Sequence, residues 1–482
     1  MSQSKDHLRS GQLGTADVTV STVANIGPGI DFYFAFGVIA VTAGVAAPLT
    51  IITAGAAVAL LAFTVAEFTR AEPSAGSFIT YVDTALGARA GAATALLVTV
   101  GYTIAITAVF AMSGGMVAMT LAHYTSWHPP WGPLSLVLTV GAIWLTVRGL
   151  KLSTKAVGAA VVLQVAIMAV ICFIILADQR AHLSGIPFTW SHLTGGLSGL
   201  SAGFPLALYM FIGWENGPAL AEESRDPTRT IPRAMYISVA IVAALFVFFA
   251  YATITGFNYD VSSIGRSSVP FLTVADHYLG EPAVAAWIAG IISVLATLIS
   301  GADSQSRMLF DGGRTGLLPA RLGQLSPRYG TPVNALLVMA GAGLGIIGVW
   351  WVSHLISGDT GSMNPVGLYA ECSTMGTIVI LFVYLLTTIS LPVFMWRRHR
   401  DSFSPFRHVV IPILGSLILI GPFVELCAPG QPAPYSAFPF IALAIAAAAA
   451  VIACLVVHRH PRAGAGEGAS VGGTGTGGNG DR

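Results

Sequence analysis

Asn25-Ile-Gly-Pro-Gly-Ile-Asp31 lies in the middle of the first long apolar segment of the chain, where an unbroken helix would otherwise run. Inside a bilayer, backbone N–H and C=O groups have no water to bond. A break at that depth is tolerated only where protein shelters it or where it lines a cavity. Glycine loosens the backbone and proline removes a donor, so the two together stop a helix. A second cluster, Phe211-Ile-Gly-Trp-Glu-Asn-Gly-Pro218, falls five apolar segments later. Isolated Gly or Pro often only permits kinking or close helix packing. Two matched clusters favour a site built from two broken helices, and the offset of five suits a five-helix repeat in inverted topology.

Composition supplies the segments. Of 482 residues, 54% are hydrophobic and 9% charged, against about 25% charged in a soluble domain. A hydrocarbon core about 30 Å thick needs about 20 apolar residues per helix. Segments of that kind run at 18–43, 47–69, 90–122, 132–147, 156–177, 198–221, 234–257, 283–306, 332–352, 366–396, 408–427 and 437–457. The predicted fold is therefore an all-α polytopic membrane protein with 12 transmembrane helices. Residues 1–17 form an N-terminal segment, 18–396 a ten-helix core, 397–457 helices 11 and 12, and 458–482 a Gly-rich tail too poor in apolar residues to order. No cleavable signal follows Lys5, Asp6, His7 and Arg9, so the first span is expected to stay.

An even number of spans puts both termini on one side. Of the 23 Lys and Arg residues, all but Arg180 and Arg266 fall on that side, among them Arg148, Lys151, Lys155, Arg314, Arg321, Arg397, Arg398 and Arg400. Loops rich in Lys and Arg stay in the cytoplasm, so both termini are expected there, with the lipid bilayer as surroundings. A formal charge of +1 without a basic cluster excludes a nucleic-acid partner. Cys172, Cys372, Cys427 and Cys454 have neither metal-site nor redox spacing and read as packing residues. No phosphate loop, Ser-His-Asp set or paired-carboxylate site recurs at membrane depth, so no catalytic residue, metal or cofactor is expected.

Ionisable groups at membrane depth cost about 2.5–3.5 kcal/mol on insertion scales and turn inward. Asp31 follows the first break, Glu215 sits within the second, and Asp303 lies late in the eighth segment beside Ser300 and Ser304. Each can meet a substrate amine or pass a proton. Each also has a plainer role: Glu215 accepting bonds from unwound backbone, Asp303 capping a helix end, Asp31 facing an external vestibule. Glu67, Glu371 and Glu425 sit near segment ends and read as interfacial. Tyr209 either covers a bound solute or simply packs.

Four stretches carry a resemblance to the amino acid, polyamine and organocation superfamily of permeases. They are NIGPGI at 25–30, AEFTRAEPSAGSFITYVDTALG at 66–87, FIGWENGPALAEESRDPTRTIPRA at 211–234 and DSQSRMLFDGGRTGLLPARLGQLSPRYGTPVNALL at 303–337. The resemblance implies a 5+5 inverted-repeat core with helices 1 and 6 broken, and alternating access around a small amino acid or amine. It implies that Ile26, Gly27, Pro28, Gly29, Ile30 and Asp31 of the first break and Phe211, Ile212, Gly213, Trp214 and Glu215 of the second surround the solute. By the same pattern, the amides of Gly29 and Ile30 take a carboxylate, carbonyls near Ile26 and Phe211 to Trp214 take an amino group, and Tyr209 gates.

The sequence departs from the family pattern at three places. Pro28 stands where the family carries serine, Asp31 where it is usually apolar, and Gln164 where proton-linked relatives often carry lysine. Asp31 widens the expected substrates toward polyamines. Gln164, Ser300, Asp303 and Ser304 are the residues expected to handle ion coupling, with symport and ion-free exchange both open. A sensor binding the same solute without flux is the alternative of another class, and a homodimer is left open.

Overall fold

A computed structural model of the chain describes residues 11, 13–74, 76–148, 154–358, 363–427 and 433–459. Most of the N-terminal segment and of the predicted tail at 458–482 lies outside the described residues, as does the side chain of Glu425. Among the described residues there are helices and turns, no strands, and one isolated parallel bridge between Leu13 and Ser224.

The first broken segment consists of α1 (Thr15–Ile26) and α2 (Pro28–Ala43), followed by α3 (Ala47–Ala71), α4 (Ser77–Leu86) and α5 (Ala88–Tyr124). Next come α6 (Trp131–Val147), α7 (Thr154–Asp178), and the second broken segment, α8 (Leu197–Tyr209) and α9 (Asn216–Ala219). The chain continues through α10 (Pro227–Gly256), α11 (Val261–Arg266), α12 (Pro270–Leu279), α13 (Val284–Arg314) and α14 (Val333–Ser357). It ends with α15 (Pro365–Arg398), α16 (Ile411–Leu426) and α17 (Phe438–Arg459).

Among the described residues, eight stretches are long and apolar enough to cross a membrane: 15–71, 88–124, 157–178, 227–256, 281–314, 333–357, 365–398 and 435–457. The first of them contains α1, α2 and α3. The expected segment 132–147 matches a shorter apolar helix, Trp131–Val147, while the expected segments 198–221 and 408–427 are only partly covered by the shorter apolar helices Leu197–Tyr209 and Phe406–Gly421.

Burial sorts these helices into an inner and an outer set. Phe32, Phe34, Phe36, Phe110, Tyr369 and Tyr384 on α2, α5 and α15 are buried. Val137, Val349, Ile356, Leu417 and Val451 on α6, α14, α16 and α17 are exposed. So many exposed aliphatic side chains would be costly in water and are expected of a lipid-facing perimeter.

Small residues bring the inner helices together. A Cβ on Gly376 of α15 would stand 2.8 Å from the Ala105 nitrogen of α5, and one on Gly101 would stand 2.8 Å from Ile380. Close backbone approach of this kind drives helix association where water cannot. Of the four cysteines, Cys172 and Cys372 are buried in this interior, Cys427 is half-buried and Cys454 is exposed.

Candidate functional site

The first break is a single residue wide. Gly27 has φ +75°, a left-handed conformation, and caps α1 through its N–H on the Val23 carbonyl. Pro28 then opens α2 at its first position, where a missing N–H costs nothing. A Cβ on Gly27 would collide with the Thr297 hydroxyl of α13, so only glycine satisfies both the backbone angle and the space. Gly29 is as tightly placed: a Cβ there would lie 2.7 Å from Ser293 Oγ and 3.2 Å from Gln164 Oε1.

The second break is wider. Between Tyr209 and Asn216 the chain runs through turns, and Gly213 takes φ +109°. Asn25 Nδ2 donates to the Gly213 carbonyl at 3.2 Å, joining the last turn of α1 to the unwound stretch across 188 residues of sequence.

Between the breaks lies a narrow cavity of about 30 Å³, lined by Asn25, Ile26, Asp31, Tyr209, Gly213 and Thr297 among others. That volume holds a water or two, so a larger solute needs the surrounding helices to part. Asp31 is buried, and Tyr369 Oη on α15 donates to its Oδ1 at 3.0 Å. Tyr209 stands edge-on to Tyr369, ring centres 5.7 Å apart, and its hydroxyl donates to the Ala105 carbonyl at 3.2 Å. Among the described residues no Lys, Arg or His forms an ion pair with Asp31. Asn25 Oδ1, Thr297 Oγ1 and Gln305 Oε1, also on the cavity wall, have no hydrogen-bond partner among the described residues. Buried polar atoms are normally satisfied, so orphans gathered around one cavity point to a polar occupant.

Of the residues expected from sequence, Ile26, Asp31, Tyr209, Ile212 and Gly213 line this cavity, while Gly27, Pro28, Gly29, Ile30, Phe211, Trp214 and Glu215 do not. The Ile30 N–H is already held by Ser293 Oγ at 2.8 Å. Glu215 has both oxygens engaged: Tyr102 Oη donates to Oε1, and the Gly213 N–H to Oε2 at 3.0 Å. Trp214 Nε1 donates to Tyr384 Oη at 3.2 Å, so the pair fixes the unwound stretch to α5 and α15.

Glu215→Ala should therefore destabilise the protein by about 1–3 kcal/mol for each donor left unpaired. It should lower the thermal unfolding midpoint of the purified protein, and an unchanged midpoint would show that Glu215 does not hold the break.

The expected ion-coupling residues separate in space. Gln164 is fully buried beside Gly29, and neither amide atom has a hydrogen-bond partner among the described residues. Ser300 is half-buried. Ser304 donates to Asn216 Oδ1 at the start of α9. Arg307 Nε donates to Asp303 at 3.1 Å, and Arg307 also pairs with Glu223 beyond α9. Among the described residues no hydrogen bond joins Gln164 to Asp303, Ser300 or Ser304, and no group of three or more His, Cys, Asp or Glu could hold a metal ion.

Ser293, Thr297, Gly301 and Gln305 went unremarked in the sequence, although they recur every four residues along α13 and so form one polar, small face toward α1 and α2. Asn25, within the quoted first cluster, and Tyr369 were missed as well.

A family model described as "Amino acid permease" matches residues 11–455. The branched-chain amino acid permease BcaP of Bacillus subtilis is 25% identical over 441 residues, covering 85% of this chain and 86% of that protein. The methylthioribose transporter of the same organism is 25% identical over 430 residues, covering 86% and 87%. The D-serine/D-alanine/glycine transporter of Escherichia coli is 28% identical over 240 residues, 48% of each chain.

Proposed function

The chain belongs to the amino acid permease family, and from that premise we propose that it is a secondary carrier for a small solute bearing a cationic amine, an amino acid or a related amine. One observation carries the reading: Asp31, a buried carboxylate without a cationic partner among the described residues, lines a cavity between two broken helices. The solutes in the relatives' names range from branched-chain amino acids to methylthioribose, so family membership leaves the solute open and the cavity chemistry must narrow it. A carboxylate in low dielectric strongly favours a cation beside it, and Tyr369, by holding Oδ1, fixes the position of the carboxylate to which that cation would come. Carbonyls of the unwound stretch between Tyr209 and Asn216 are the second acceptors this reading expects.

On this reading the chain crosses the plasma membrane twelve times with both termini in the cytoplasm. Residues 18–396 form the 5+5 inverted-repeat core, and 397–457 add two helices. Alternating access needs a closure on each side, and ion pairs supply one at the cytoplasmic end. Arg307 bridges Asp303 and Glu223, while Arg314 bridges Asp311 (2.6 Å) and Glu222 (2.8 Å). The backbone of Leu13 pairs with Glu223 and Arg225 over the same turn. These bonds join α13 to the chain just beyond α9, so opening inward requires breaking them. Gln164, buried beside the first break, is neutral, which favours exchange or coupling through other groups over a cation fixed at that position.

Uptake of radiolabelled amino acids and amines into proteoliposomes, with and without a sodium or proton gradient, tests the proposal. Flux of amine-bearing solutes above that of empty vesicles is the expected result. Tight binding without flux would replace the carrier with a sensor.

A further inference from the structure

Two arginines share one carboxylate where the end of α3 meets the helical turn Phe406–Val410 that leads into α16. Arg70 Nη1 donates to Glu67 Oε1 at 2.5 Å and Arg407 Nη2 donates to the same oxygen at 2.9 Å. His408 Nε2 stands 3.1 Å from the other oxygen. Its Nδ1 accepts the Ser404 N–H at 3.0 Å, so the ring proton sits on Nε2 and His408 serves Glu67 as a neutral donor. Two guanidinium charges therefore meet one carboxylate. Glu67 is 7% exposed, while Arg70 and Arg407 are 41% and 52% exposed, so the surplus positive charge faces outward.

Elsewhere the balance runs the other way. Arg307 and Arg314 on α13 each lie between two carboxylates. Nearby, Arg398 and His399 both approach Glu72 at 3.4 Å, and Arg397 donates to the Ala85 carbonyl. The segment RRHRDSFSPFRH at 397–408 carries four arginines against Asp401 alone.

The surroundings of the surplus charge are apolar and outward-facing. Arg407 lies over the Phe63 ring at 5.9 Å, and Arg400 over the Trp396 ring at 4.6 Å. Trp396 and Phe406 are exposed, as are Val410, Ile413, Leu414 and Leu417 along one face of the helix that follows. Exposed aromatic rings beside arginine mark headgroup level, and the exposed aliphatic face below them marks acyl chains.

We propose that Arg70 and Arg407 form a docking site for the phosphate of an anionic phospholipid, whose acyl chains lie along Phe63 and the exposed face of α16. Guanidinium forks match phosphate oxygens, and a basic juxtamembrane segment is drawn to an anionic leaflet. A free phosphate would use the same two arginines but none of the apolar face. The proposal rests on the membrane reading and is independent of the solute carried.

The test is thermal unfolding of the purified full chain, titrated with dioctanoyl phosphatidylglycerol, dioctanoyl phosphatidylcholine or inorganic phosphate. Phosphatidylglycerol alone should raise the midpoint. Arg407→Gln should weaken its apparent affinity about fivefold, Arg407→Lys should weaken it less, and Glu67→Gln should tighten it. Equal stabilisation by both lipids would overturn the proposal, as would unchanged phosphatidylglycerol affinity in Arg407→Gln. An effect reproduced by inorganic phosphate would reduce the site to one for a free anion and overturn the lipid assignment. If Arg407→Gln cannot be purified, Arg70→Gln on the other helix gives the same readout with the same two outcomes.

Discussion

Gly29→Val is expected to abolish uptake into proteoliposomes while leaving the protein inserted in the membrane. A Cβ at this position would stand 2.7 Å from Ser293 Oγ and 2.8 Å from Ser293 Cβ, closer than side-chain carbons come, and 3.2 Å from Gln164 Oε1. Valine adds two further methyl groups to that collision. Ser293 is the hydroxyl that holds the Ile30 amide, so relieving the clash moves α2 away from α13 and breaks that bond. Asp31 lies one residue further along and moves with it. Overpacking costs about 1–3 kcal/mol, which leaves folding intact in a chain held by so many buried apolar contacts. Insertion follows hydropathy, which valine does not lower. Uptake, together with protein recovered in the membrane fraction, separates the outcomes. Normal transport would remove the first break from the site, and loss of the inserted protein would make the effect one of folding.

The positions of the breaks were legible because their cause is local. Left-handed Gly27 and Pro28 at the first turn of α2 are backbone facts that the residues themselves announce. The same holds for span positions: the segment read at 90–122 became Ala88–Tyr124. Rotation about a helix axis was not legible, and it divides the two buried acids. Successive residues turn by about 100°, so depth in the membrane says nothing of facing direction. Glu215 turns to Tyr102 and its own unwound backbone, whereas Asp31 turns to the cavity. Tyr369 lies 338 residues from Asp31, and no periodicity along α15 names that partner. Asp303 is different: Arg307 follows it four residues later on one helix face, and that spacing was open to reading as an ion pair from the start.

Asp31→Asn should weaken binding of cationic amines about 30- to 100-fold, the equivalent of about 2–3 kcal/mol for a hydrogen bond to a charged group. Solutes without a positively charged amine should lose less than about threefold. The substitution is nearly isosteric, and the amide oxygen still accepts the Tyr369 hydroxyl, so the cavity wall keeps its shape and only the charge is lost. Truncation would not isolate the effect in this way, because an alanine would also orphan Tyr369 and open space beside Tyr209. Tyr369→Phe provides the complementary variant: it preserves the carboxylate and frees Oδ1, so cationic amines should bind within a few-fold of their original affinity while the position of the carboxylate relaxes. Competition against a radiolabelled substrate, run with a monoamine, a diamine and an uncharged analogue of matched size, reads the three affinities. Equal losses across the set would place Asp31 outside the pocket, since a general distortion penalises every ligand and a lost charge penalises only those that carry its opposite. If Asp31→Asn spared the monoamine but weakened the diamine, the carboxylate would meet the solute's second cation, and the first amine would belong to the carbonyls of the unwound stretch around Gly213.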